Sequence, residues 1–331
     1  MRLAIDVMGF ENDIGQATKA CDIFCTNHQD VEITLVGDQE LIKKCLPSEH
    51  NYKIFHTTQV VMMDDNPLTV VRAKTDSSMY RTIELAKLDK VDGALSAGST
   101  NCFIAMAYIL LGLIPGVNKP GFLVSIPTTI RNKNTLMIDV GASKTCTGDD
   151  LYQFALMANV YAKKTLNIPN PTIAILNIGT EKTKGLDYHR QTYDLLEKDK
   201  SLKFHGFIEP RNILDGVVDI VVCDGYSGNL TLKSLEAGLK SISTVLKREF
   251  KKPLNWLGAL FSFGTIRGVK RTFDYRNNAG AIVCGLKKPL IKTHGDADSL
   301  QFLSALECLY KTVKNDVVNT IKEAIHDPKN S

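Results

Sequence analysis

Small and polar residues gather at five places where an apolar, β-branched run ends. These loops are residues 6–9, 96–101, 139–143, 177–185 and 224–229. Glycine permits close approach of the backbone to a ligand, and free N–H groups at a helix start bind anions. One such loop is weak evidence, because loops after strands are often rich in glycine for steric reasons alone. Five of them in one chain favour a phosphate-sized or oxyanionic ligand.

The loops match none of the common nucleotide or hydrolase motifs. The chain lacks Gly-x-x-x-x-Gly-Lys-[Ser/Thr], and it lacks Gly-x-Gly-x-x-Gly after a strand. ATP hydrolysis and dinucleotide binding of the usual kind are therefore disfavoured. A Gly-x-Ser-x-Gly elbow and a paired-histidine zinc motif are also missing from the sequence, which disfavours the corresponding hydrolases.

Short apolar runs alternate with longer helical patterns along the chain. Strands are predicted at 3–7, 33–36, 93–96, 122–126, 136–140, 173–177 and 219–223, and helices at 77–88, 102–111, 151–166, 188–197 and 229–250. The helical spacing of apolar residues predicts one last unbroken helix over 299–325. This alternation predicts an α/β fold, a three-layer α/β/α sandwich with a large, mostly parallel sheet. In such sheets ligands bind beyond the carboxyl ends of the strands.

Composition is that of an ordinary globular protein. The 331 residues are 44% apolar and 23% charged, which excludes global disorder and a small disulfide scaffold. No apolar run reaches the roughly 18 residues that span a bilayer, and residues 1–7 are typical of a strand and not of a signal peptide. The eight cysteines form no Cys-x-x-Cys pair. We therefore expect a cytoplasmic protein.

Positive charge is concentrated in one part of the chain. Residues 247–292 contain eleven lysines or arginines and two acids, whereas the whole chain has a net charge of +4. Within this region, residues 247–278 break the α/β rhythm. They contain basic clusters on both sides of an apolar run that includes the single tryptophan: Lys247, Arg248, Lys251, Lys252, Leu254, Trp256, Leu257, Leu260, Phe261, Arg267, Lys270 and Arg271. Such a pattern is typical of a segment lying on an anionic membrane surface.

Three other interpretations of this segment remain open. The cations suit an acidic protein partner, and aromatic residues are enriched at dimer interfaces. A solvated lysine-rich face is the plainest alternative. No nucleic-acid-binding motif accompanies the charge, so we expect no nucleic acid partner.

Nine short blocks in the sequence carry a family resemblance. They are LAIDVMG from Leu3, RAKTDSSM from Arg72, SAGST from Ser96, DVGA from Asp139, NIG from Asn177, Lys184-Gly185, DIVVCDG from Asp219, Gly228-Asn229 and KTHG from Lys292. Together and in this order they resemble the PlsX family, the bacterial phosphate acyltransferases of phospholipid synthesis. The chain departs from the family pattern at Phe10, Asn101, Ser143 and Asn278, and at Asp296-Ala297 after the histidine.

The resemblance implies the following chemistry. An acyl group passes from acyl carrier protein to inorganic phosphate, which yields an acyl phosphate for glycerol-3-phosphate acylation and requires no metal or organic cofactor. It implies a single domain over 1–331 with a mixed sheet, similar to isocitrate and isopropylmalate dehydrogenases and phosphotransacetylases. It also implies a homodimer, peripheral contact with the membrane, and the downstream glycerol-3-phosphate acyltransferase as a partner.

Site residues follow from the resemblance together with the chemistry. Lys184 is expected to hold phosphate or to stabilise developing negative charge, Asn229 at a helix start to donate to the thioester carbonyl, and His294 to protonate the leaving thiolate or orient phosphate. The remaining predicted phosphate- or substrate-binding residues are Asp6, Gly9, Ser96, Gly98, Ser99, Thr100, Gly141, Gly179, Asp224 and Gly228. For each there is a plain alternative: a surface lysine, a helix cap, a hydrogen-bonded histidine or a tight turn.

Three rival functions remain possible at this point. A phosphotransacetylase-type enzyme would use coenzyme A thioesters in place of the carrier protein. A membrane-associated scaffold would keep the fold and bind carrier protein without turnover, an idea motivated by the departures at Phe10, Asn101 and Asn278. A dehydrogenase is suggested by kinship of fold alone.

Overall fold

The fold is built on one sheet of eleven strands in the part of the chain that is described. The computed structural model describes residues 1–46, 50, 52–252, 258, 262–273 and 280–326. The strands are β1 Arg2–Asp6, β2 Glu32–Gly37, β3 Tyr52–His56, β4 Gly93–Ser96, β5 Gly121–Pro127, β6 Asn134–Ile138, β7 Thr172–Leu176, β8 Lys203–Ile208, β9 Ile220–Val222, β10 Ala281–Cys284 and β11 Leu290–Lys292.

Helices alternate with these strands. They are α1 Ile14–Asn27, α2 Gln39–Cys45, α3 Pro67–Ala73, α4 Ser78–Lys87, α5 Thr100–Leu111, α6 Gly148–Thr165, α7 Asp187–Lys198, α8 Gly225–Phe250, α9 Phe263–Thr272, α10 Ser299–Lys314 and α11 Val317–Ile325, with a 3-10 helix at Pro210–Asp215. Polar side chains fix several of the starts. Asp13, Asp38, Asn66 and Asp298, for example, accept backbone N–H groups at the first turns of α1, α2, α3 and α10.

The strand order is β3-β2-β1-β4-β11-β10-β5-β6-β9-β7-β8. The first five strands in this order are mutually parallel, and so are the last four. Between these two blocks, β10 and β5 are each antiparallel to both neighbours. The two blocks therefore point in opposite directions, and the sheet is mixed and mostly parallel, as predicted.

Helices cover both faces of the sheet. Leu3 and Ile5 of β1 pack on the face that carries α1, α6, α10 and α11. Ala4, which points the other way, packs on the face that carries α3, α4 and α5. The strands are buried on both sides, which is why their sequences are continuously apolar and not alternating. The predicted α/β fold is confirmed at this level.

The sequence analysis does not predict four of the strands. β3 and β8 are the two edge strands of the sheet, and their burial alternates or is partial, so their apolar signal is weak. β10 and β11 have only four and three residues, which is too short for a periodic pattern to register. Their absence from the prediction matters, because β11 delivers Lys292 and His294 to the cavity described below.

The predicted single helix over 299–325 is wrong. The structure has two helices, α10 and α11, with Asp316 between them in the left-handed conformation at φ 50°. Aspartate and asparagine adopt this conformation more readily than most residues. The Asp316 carboxylate also accepts a 2.7 Å hydrogen bond from the Asn319 amide of the next turn. The apolar spacing continued through the break and concealed it.

Candidate active site

A cavity of about 500 Å³ opens on the sheet face that carries α5 and α8. Its lining comes from the start of α5, strand β5, the loop after β6, one side of α8 and the loop after β11. The lining residues are Thr100, Asn101, Phe122, Val124, Ser125, Ile126, Pro127, Val140, Gly141, Leu214, Asn229, Leu232, Lys233, Leu235, Glu236, Leu239, Gly280, Ala281, Lys292, Thr293, His294 and Gly295. It thus brings together four predicted residues: Thr100, Gly141, Asn229 and His294.

Asn229 lies in the second turn of α8 and not at the helix start, which corrects the prediction. The helix begins at Gly225, and Asp224 is its N-cap, accepting from the N–H groups of Tyr226 at 3.1 Å and Ser227 at 2.9 Å. The capping role considered for Asn229 therefore belongs to Asp224. The Asn229 amide packs on Gly141, where a Cβ would come within 3.5 Å of the amide nitrogen.

The backbone at the start of α8 packs against the backbone at the end of β6. A Cβ at Gly228 would come within 1.9 Å of the Asp139 carbonyl oxygen, so glycine is required there for close packing. Asp139 is buried, and its carboxylate accepts N–H groups of Phe122, Gly141, Ala142 and Ser143 at 2.7–2.9 Å. Burial raises the pKa of Asp139 to about 6, against the opposing effect of these bonds. Gly228 and Asp139 thereby fix the position of Asn229.

Asp6 and Ser96 form a polar layer beneath the cavity with Lys292. Asp6, Ser96 and Lys292 end the adjacent strands β1, β4 and β11, and the register pairs Ser96 with both of the others. The Ser96 hydroxyl donates to Asp6 at 2.7 Å and accepts the Gly98 N–H at 3.1 Å. Asp6 also accepts the Met8 N–H at 3.2 Å. Asp6, Ser96 and Gly98 therefore organise the loops behind the cavity.

The start of α5 presents backbone donors to the cavity. Ser99 is the N-cap residue, and its side chain makes no capping hydrogen bond. Thr100 and Asn101 begin the helix and line the cavity. The first N–H groups of a helix have no partner within the helix, so they are available to an anion. Gly9 lies behind this region at φ 70°, where a Cβ would meet the Val61 carbonyl oxygen at 2.6 Å.

His294 faces α8 across the cavity. Its Nε2 lies 3.8 Å from a Glu236 carboxylate oxygen, and the His294 side chain is 45% exposed. Burial raises the pKa of Glu236, while the charge of His294 acts in the opposite direction. The imidazole therefore has a carboxylate close by and an open side toward the cavity.

Lys184 lies outside the lining of this cavity, on the exposed loop between β7 and α7. Its N–H donates to the Glu181 carbonyl at 2.9 Å. Gly179 lies beside it, because a Cβ there would meet the Lys184 Cγ at 3.2 Å. The loop adjoins the start of α8, since the Tyr188 hydroxyl donates to Asp224 at 3.1 Å. The structure does not bring Lys184 together with His294.

The loops that contain two of the family departures, Phe10 and Asp296-Ala297, contact each other. Phe10 packs its ring on Phe302 at 5.2 Å between centroids. The Glu11 N–H donates to the Gly295 carbonyl at 2.8 Å, and the Asn12 amide donates to the Asp296 carbonyl at 2.6 Å. The altered first loop therefore supports the altered loop that carries His294. Asn278 lies outside the described residues.

Sequence reasoning missed three charged residues of the cavity: Lys233, Glu236 and Lys292. Lys292 was visible only as a member of the KTHG block. Lys233 and Glu236 lie one and two turns after Asn229 on the same side of α8, and that helical spacing was the available signal. Within the described part of the chain, no three histidine, cysteine, aspartate or glutamate side chains cluster as metal ligands do.

The basic segment is described only in part. Lys247 and Arg248 in the last turn of α8, Lys251 and Lys252 after it, and Arg267 and Arg271 on α9 are all exposed. The predictions for Leu254, Trp256, Leu257, Leu260, Phe261 and the Lys270 side chain concern parts of the chain outside the described residues. No helix in the described ranges has both the length and the apolarity to cross a membrane.

The second half of α8 carries an exposed apolar stripe, here called the α8 stripe: Ile242, Val245 and Leu246. These side chains are 61%, 46% and 43% exposed. Their spacing places them on one side of the helix. Sequence reasoning did not single them out.

Comparison with known proteins places the chain in a family. The family model described as fatty acid synthesis protein matches residues 1–320. The phosphate acyltransferase of Malacoplasma penetrans is 46% identical over 323 residues, which is 97% of each chain. The phosphate acyltransferase of Mycoplasma pneumoniae is 44% identical over 324 residues, which is 98% of each chain.

Solved structures with this fold include two acyl-transferring enzymes. A phosphotransacetylase from Streptococcus pyogenes matches with a TM-score of 0.62 at 15% identity, covering 96% of this chain and 94% of its own. A branched-chain phosphotransacylase from Enterococcus faecalis matches with a TM-score of 0.58 at 14% identity, covering 95% and 99%. At such identities the likeness concerns the fold. The near-full-length relatives confirm the resemblance drawn from the motifs: the chain belongs to the fatty acid synthesis protein family, as an acyltransferase related to the phosphate acyltransferases.

Proposed function

We propose that this chain transfers an acyl group from the thioester of acyl carrier protein to inorganic phosphate. The product is an acyl phosphate, which feeds glycerol-3-phosphate acylation in phospholipid synthesis. One observation carries the proposal: the Asn229 amide, the start of α5 and the loop of Lys292 and His294 face one cavity. That set of donors suits a phosphate and a tetrahedral oxyanion held side by side.

The reaction needs little chemical assistance from the protein. A phosphate oxygen attacks the thioester carbonyl carbon, and the carbonyl π electrons move to its oxygen. When the tetrahedral species collapses, the C–S bond breaks and its electron pair leaves on sulfur. A thiol has a reference pKa of roughly 8.5, so the thiolate departs readily. The protein's main task is to position phosphate next to the thioester and to stabilise the negative charge that develops on the thioester oxygen.

We assign the proposed residues the following roles in this reaction. The Asn229 amide donates to the thioester carbonyl oxygen as it becomes an oxyanion. His294, supported by Glu236 at 3.8 Å, protonates the leaving thiolate or orients phosphate. Lys184 stays a proposed phosphate ligand on the loop beside the start of α8. Asp6, Asp224, Gly9, Gly179 and Gly228 shape the loops that hold these groups.

Carrier protein docking is proposed for the basic surface formed by Lys247, Arg248, Lys251, Lys252, Arg267 and Arg271. These side chains are exposed and of one sign. Acyl carrier protein is strongly acidic, so complementary charge would steer its approach and fix its orientation. The same cations suit contact with an anionic membrane, with roughly 1 kcal/mol from each residue near the surface.

A homodimer joined along the α8 stripe is part of the same proposal. Ile242, Val245 and Leu246 are exposed in the single chain, and apolar residues in a row on one helix are suited to pairing with a second copy. We also propose that the protein is cytoplasmic, visits the membrane reversibly and passes its product to a glycerol-3-phosphate acyltransferase there. We also retain the proposals of a single domain over 1–331 and of fold kinship with isocitrate and isopropylmalate dehydrogenases.

Two rival functions are tested by the same assay. A phosphotransacetylase-type enzyme would prefer an acyl-coenzyme A donor, and a scaffold would release no thiol. We would measure thiol release from palmitoyl-acyl carrier protein and from palmitoyl-coenzyme A, with and without phosphate, and trap acyl phosphate with hydroxylamine. Phosphate-dependent release with trapped product, faster from the carrier protein, supports the proposal. Faster release from coenzyme A moves the function to the phosphotransacetylase class, and no release from either donor leaves the scaffold.

A further inference from the structure

Lys292 is a buried amine at the floor of the cavity. It is the last residue of β11, is 6% exposed, and is among the residues that line the cavity. Its Nζ donates to the Thr293 carbonyl oxygen. Lysine is almost never fully buried unless it is paired. Its position at the end of a strand, among cavity-lining residues, therefore calls for a chemical reason.

The carboxylate whose charge acts on Lys292 is that of Asp6, which is 1% exposed. Asp6 and Lys292 flank Ser96 in one row across β1, β4 and β11, and equal register on parallel strands directs all three side chains to the same face. Asp6 is held by Ser96 and the Met8 N–H. Lys292 thus has a buried carboxylate two strands away on the same face of the sheet, and it also lines the cavity.

Burial has opposite effects on the two groups. It lowers the pKa of Lys292 to about 7, with Asp6 opposing the change. It raises the pKa of Asp6 to about 6, with hydrogen bonds from Ser96 and Ser78 opposing the change. Both shifts disfavour the charged forms. An anion entering the cavity would favour the protonated amine, because it adds a second negative charge beside it.

The other charged groups at the cavity are few among the described residues. Lys233 and Glu236 face it from α8, and His294 faces it from the loop after β11. Glu236 is close to His294, at 3.8 Å. Lys233 is exposed. Lys292 is thus the buried cation of this set, and the N-terminus of α5 at Thr100 and Asn101 adds N–H donors to the same cavity.

We propose that Lys292 is a phosphate-binding residue of this cavity and that Asp6 is the positioning residue that holds its amine toward the ligand. This inference rests on the proposed function, in which phosphate is the second substrate. The ammonium donates to a phosphate oxygen and gives up no proton. It thereby lowers the cost of bringing a dianion next to the thioester carbonyl.

The test compares Lys292→Met, Lys292→Arg and Asp6→Asn, with Lys287→Met on the exposed turn between β10 and β11 as the matched control. Initial rates are measured against phosphate and against acyl donor, with ionic strength held constant by chloride. For Lys292→Met we expect the KM for phosphate to rise on the order of 10–100-fold, with the KM for the acyl donor little changed. An equal rise in both KM values, or a fall in kcat alone, would overturn the proposal.

The pH profile of kcat/KM for phosphate separates a binding role from a structural one. Wild type should lose activity as pH rises through about 7, because the amine loses its charge. Lys292→Arg should keep activity to higher pH, since guanidinium stays protonated. Asp6→Asn removes the opposing charge and should shift the loss to lower pH. The titration of phosphate itself is common to all variants, so identical profiles for all of them would refute the role.

A binding measurement without turnover separates this inference from the proposed function. Inorganic phosphate should raise the Tm of wild type and Lys287→Met, because a ligand that binds only the folded state stabilises it. The rise should disappear in Lys292→Met. If wild type releases no thiol yet shows this pattern, the proposed function fails and the Lys292 site stands. If Lys292→Met is protected as well as wild type, the inference fails whatever the activity. If Lys292→Met does not fold, the rise in Tm that phosphate causes in Asp6→Asn decides the question.

Discussion

The Asn229 amide lies directly against Gly141, so that a Cβ on this glycine would approach the amide nitrogen to 3.5 Å. Gly141 has φ 135°, a backbone conformation that side chains disfavour. The two residues come from α8 and from the loop after β6, which are brought together where Gly228 packs on Asp139. The position of the proposed oxyanion donor is therefore set by two glycines, one on each element.

Removal of the Asn229 amide should slow the reaction without unfolding the protein. We expect Asn229→Ala and Asn229→Asp each to lower kcat by about 10²–10³, the usual cost of one oxyanion donor. Gly141→Ala should also lower kcat, because alanine is strained at φ 135° and would shift the loop on which the amide packs. Steady-state kinetics would measure this, with Ser234→Ala on the exposed side of α8 as the control. A kcat within twofold of wild type for Asn229→Ala would contradict the assigned role.

Lys184 and Lys182 form a natural pair of test and control on one loop. The Lys182 ammonium already forms ion pairs with the carboxylates of Asp194 at 3.1 Å and Glu197 at 2.8 Å. Lys184→Ala should lower kcat/KM for phosphate by about 10²-fold or more if its charge serves the reaction. Lys182→Ala should leave turnover near wild type. Equal effects of the two substitutions would mark Lys184 as one more surface lysine.

Gly228→Ala should destabilise the fold. A Cβ there would lie 1.9 Å from the Asp139 carbonyl oxygen, whereas a Cβ at Gly238 in the same helix meets nothing within 4 Å. We expect Gly228→Ala to cost about 1–3 kcal/mol or more in free energy of unfolding. Gly238→Ala should instead gain about 0.5–1 kcal/mol, since alanine favours the helix. Denaturant unfolding compares them, and equal stabilities would disprove the close packing of α8 on β6.

The Asp6–Lys292 pair should reduce stability near neutral pH. Burial raises the pKa of Asp6 from 3.8 to about 6. The contribution of Asp6 to the free energy of unfolding is therefore fully present below about pH 4, and it is lost as the pH rises through 6. Burial lowers the pKa of Lys292 from 10.5 to about 7. Above pH 7 the folded chain releases the Lys292 proton while the unfolded chain still holds it. The free energy of unfolding therefore recovers as the pH rises above 7. Both groups are therefore unfavourable between about pH 6 and 7.

The double variant Asp6→Asn with Lys292→Met tests this relationship. Replacing buried charged groups of opposite sign with uncharged side chains of similar size often stabilises a protein by about 1–4 kcal/mol. We expect a gain in unfolding free energy that is largest near pH 6–7 and smaller at pH 5 and pH 9. A loss of stability at pH 6.5 would show that the pair is a net structural asset, and not one retained for the site.

The α8 stripe should be required for self-association. We expect Leu246→Asp to convert a dimer to a monomer, while Thr244→Asp, on the opposite side of the helix, leaves it unchanged. Sedimentation velocity would measure the mass of each variant, and flotation with anionic vesicles would show whether membrane binding depends on the dimer. A Leu246→Asp variant that remains dimeric would place the interface elsewhere.

The architecture followed from the sequence where the signal was local. Continuous apolar runs identified the buried strands, and the loops after them contained the glycines and polar residues of the predicted site. The break at Asp316 was hidden because helical spacing continues across it. The start of α8 was predicted at Asn229, about a turn too late, because residues 224–228 are rich in glycine and polar residues, which is typical of a loop.

The cavity itself could not be read from the sequence. It depends on a sheet whose two parallel blocks point in opposite directions, joined by the antiparallel strands β10 and β5. The order β1-β4-β11 within the first block sets Lys292 two strands away from Asp6, with Ser96 between them, although 286 positions separate the two in the chain. The sheet also leaves Lys184 on a neighbouring loop, which no local pattern could reveal.

The central claim is that phosphate itself is the nucleophile toward an acyl carrier protein thioester. The most direct measurement follows ³²P-labelled phosphate into acyl phosphate while thiol release from palmitoyl-acyl carrier protein is recorded in the same reaction. The account predicts one labelled phosphate incorporated for each thiol released, with both rates falling together in Asn229→Ala. Thiol release without incorporation of label, or incorporation unaffected by Asn229→Ala, would contradict it.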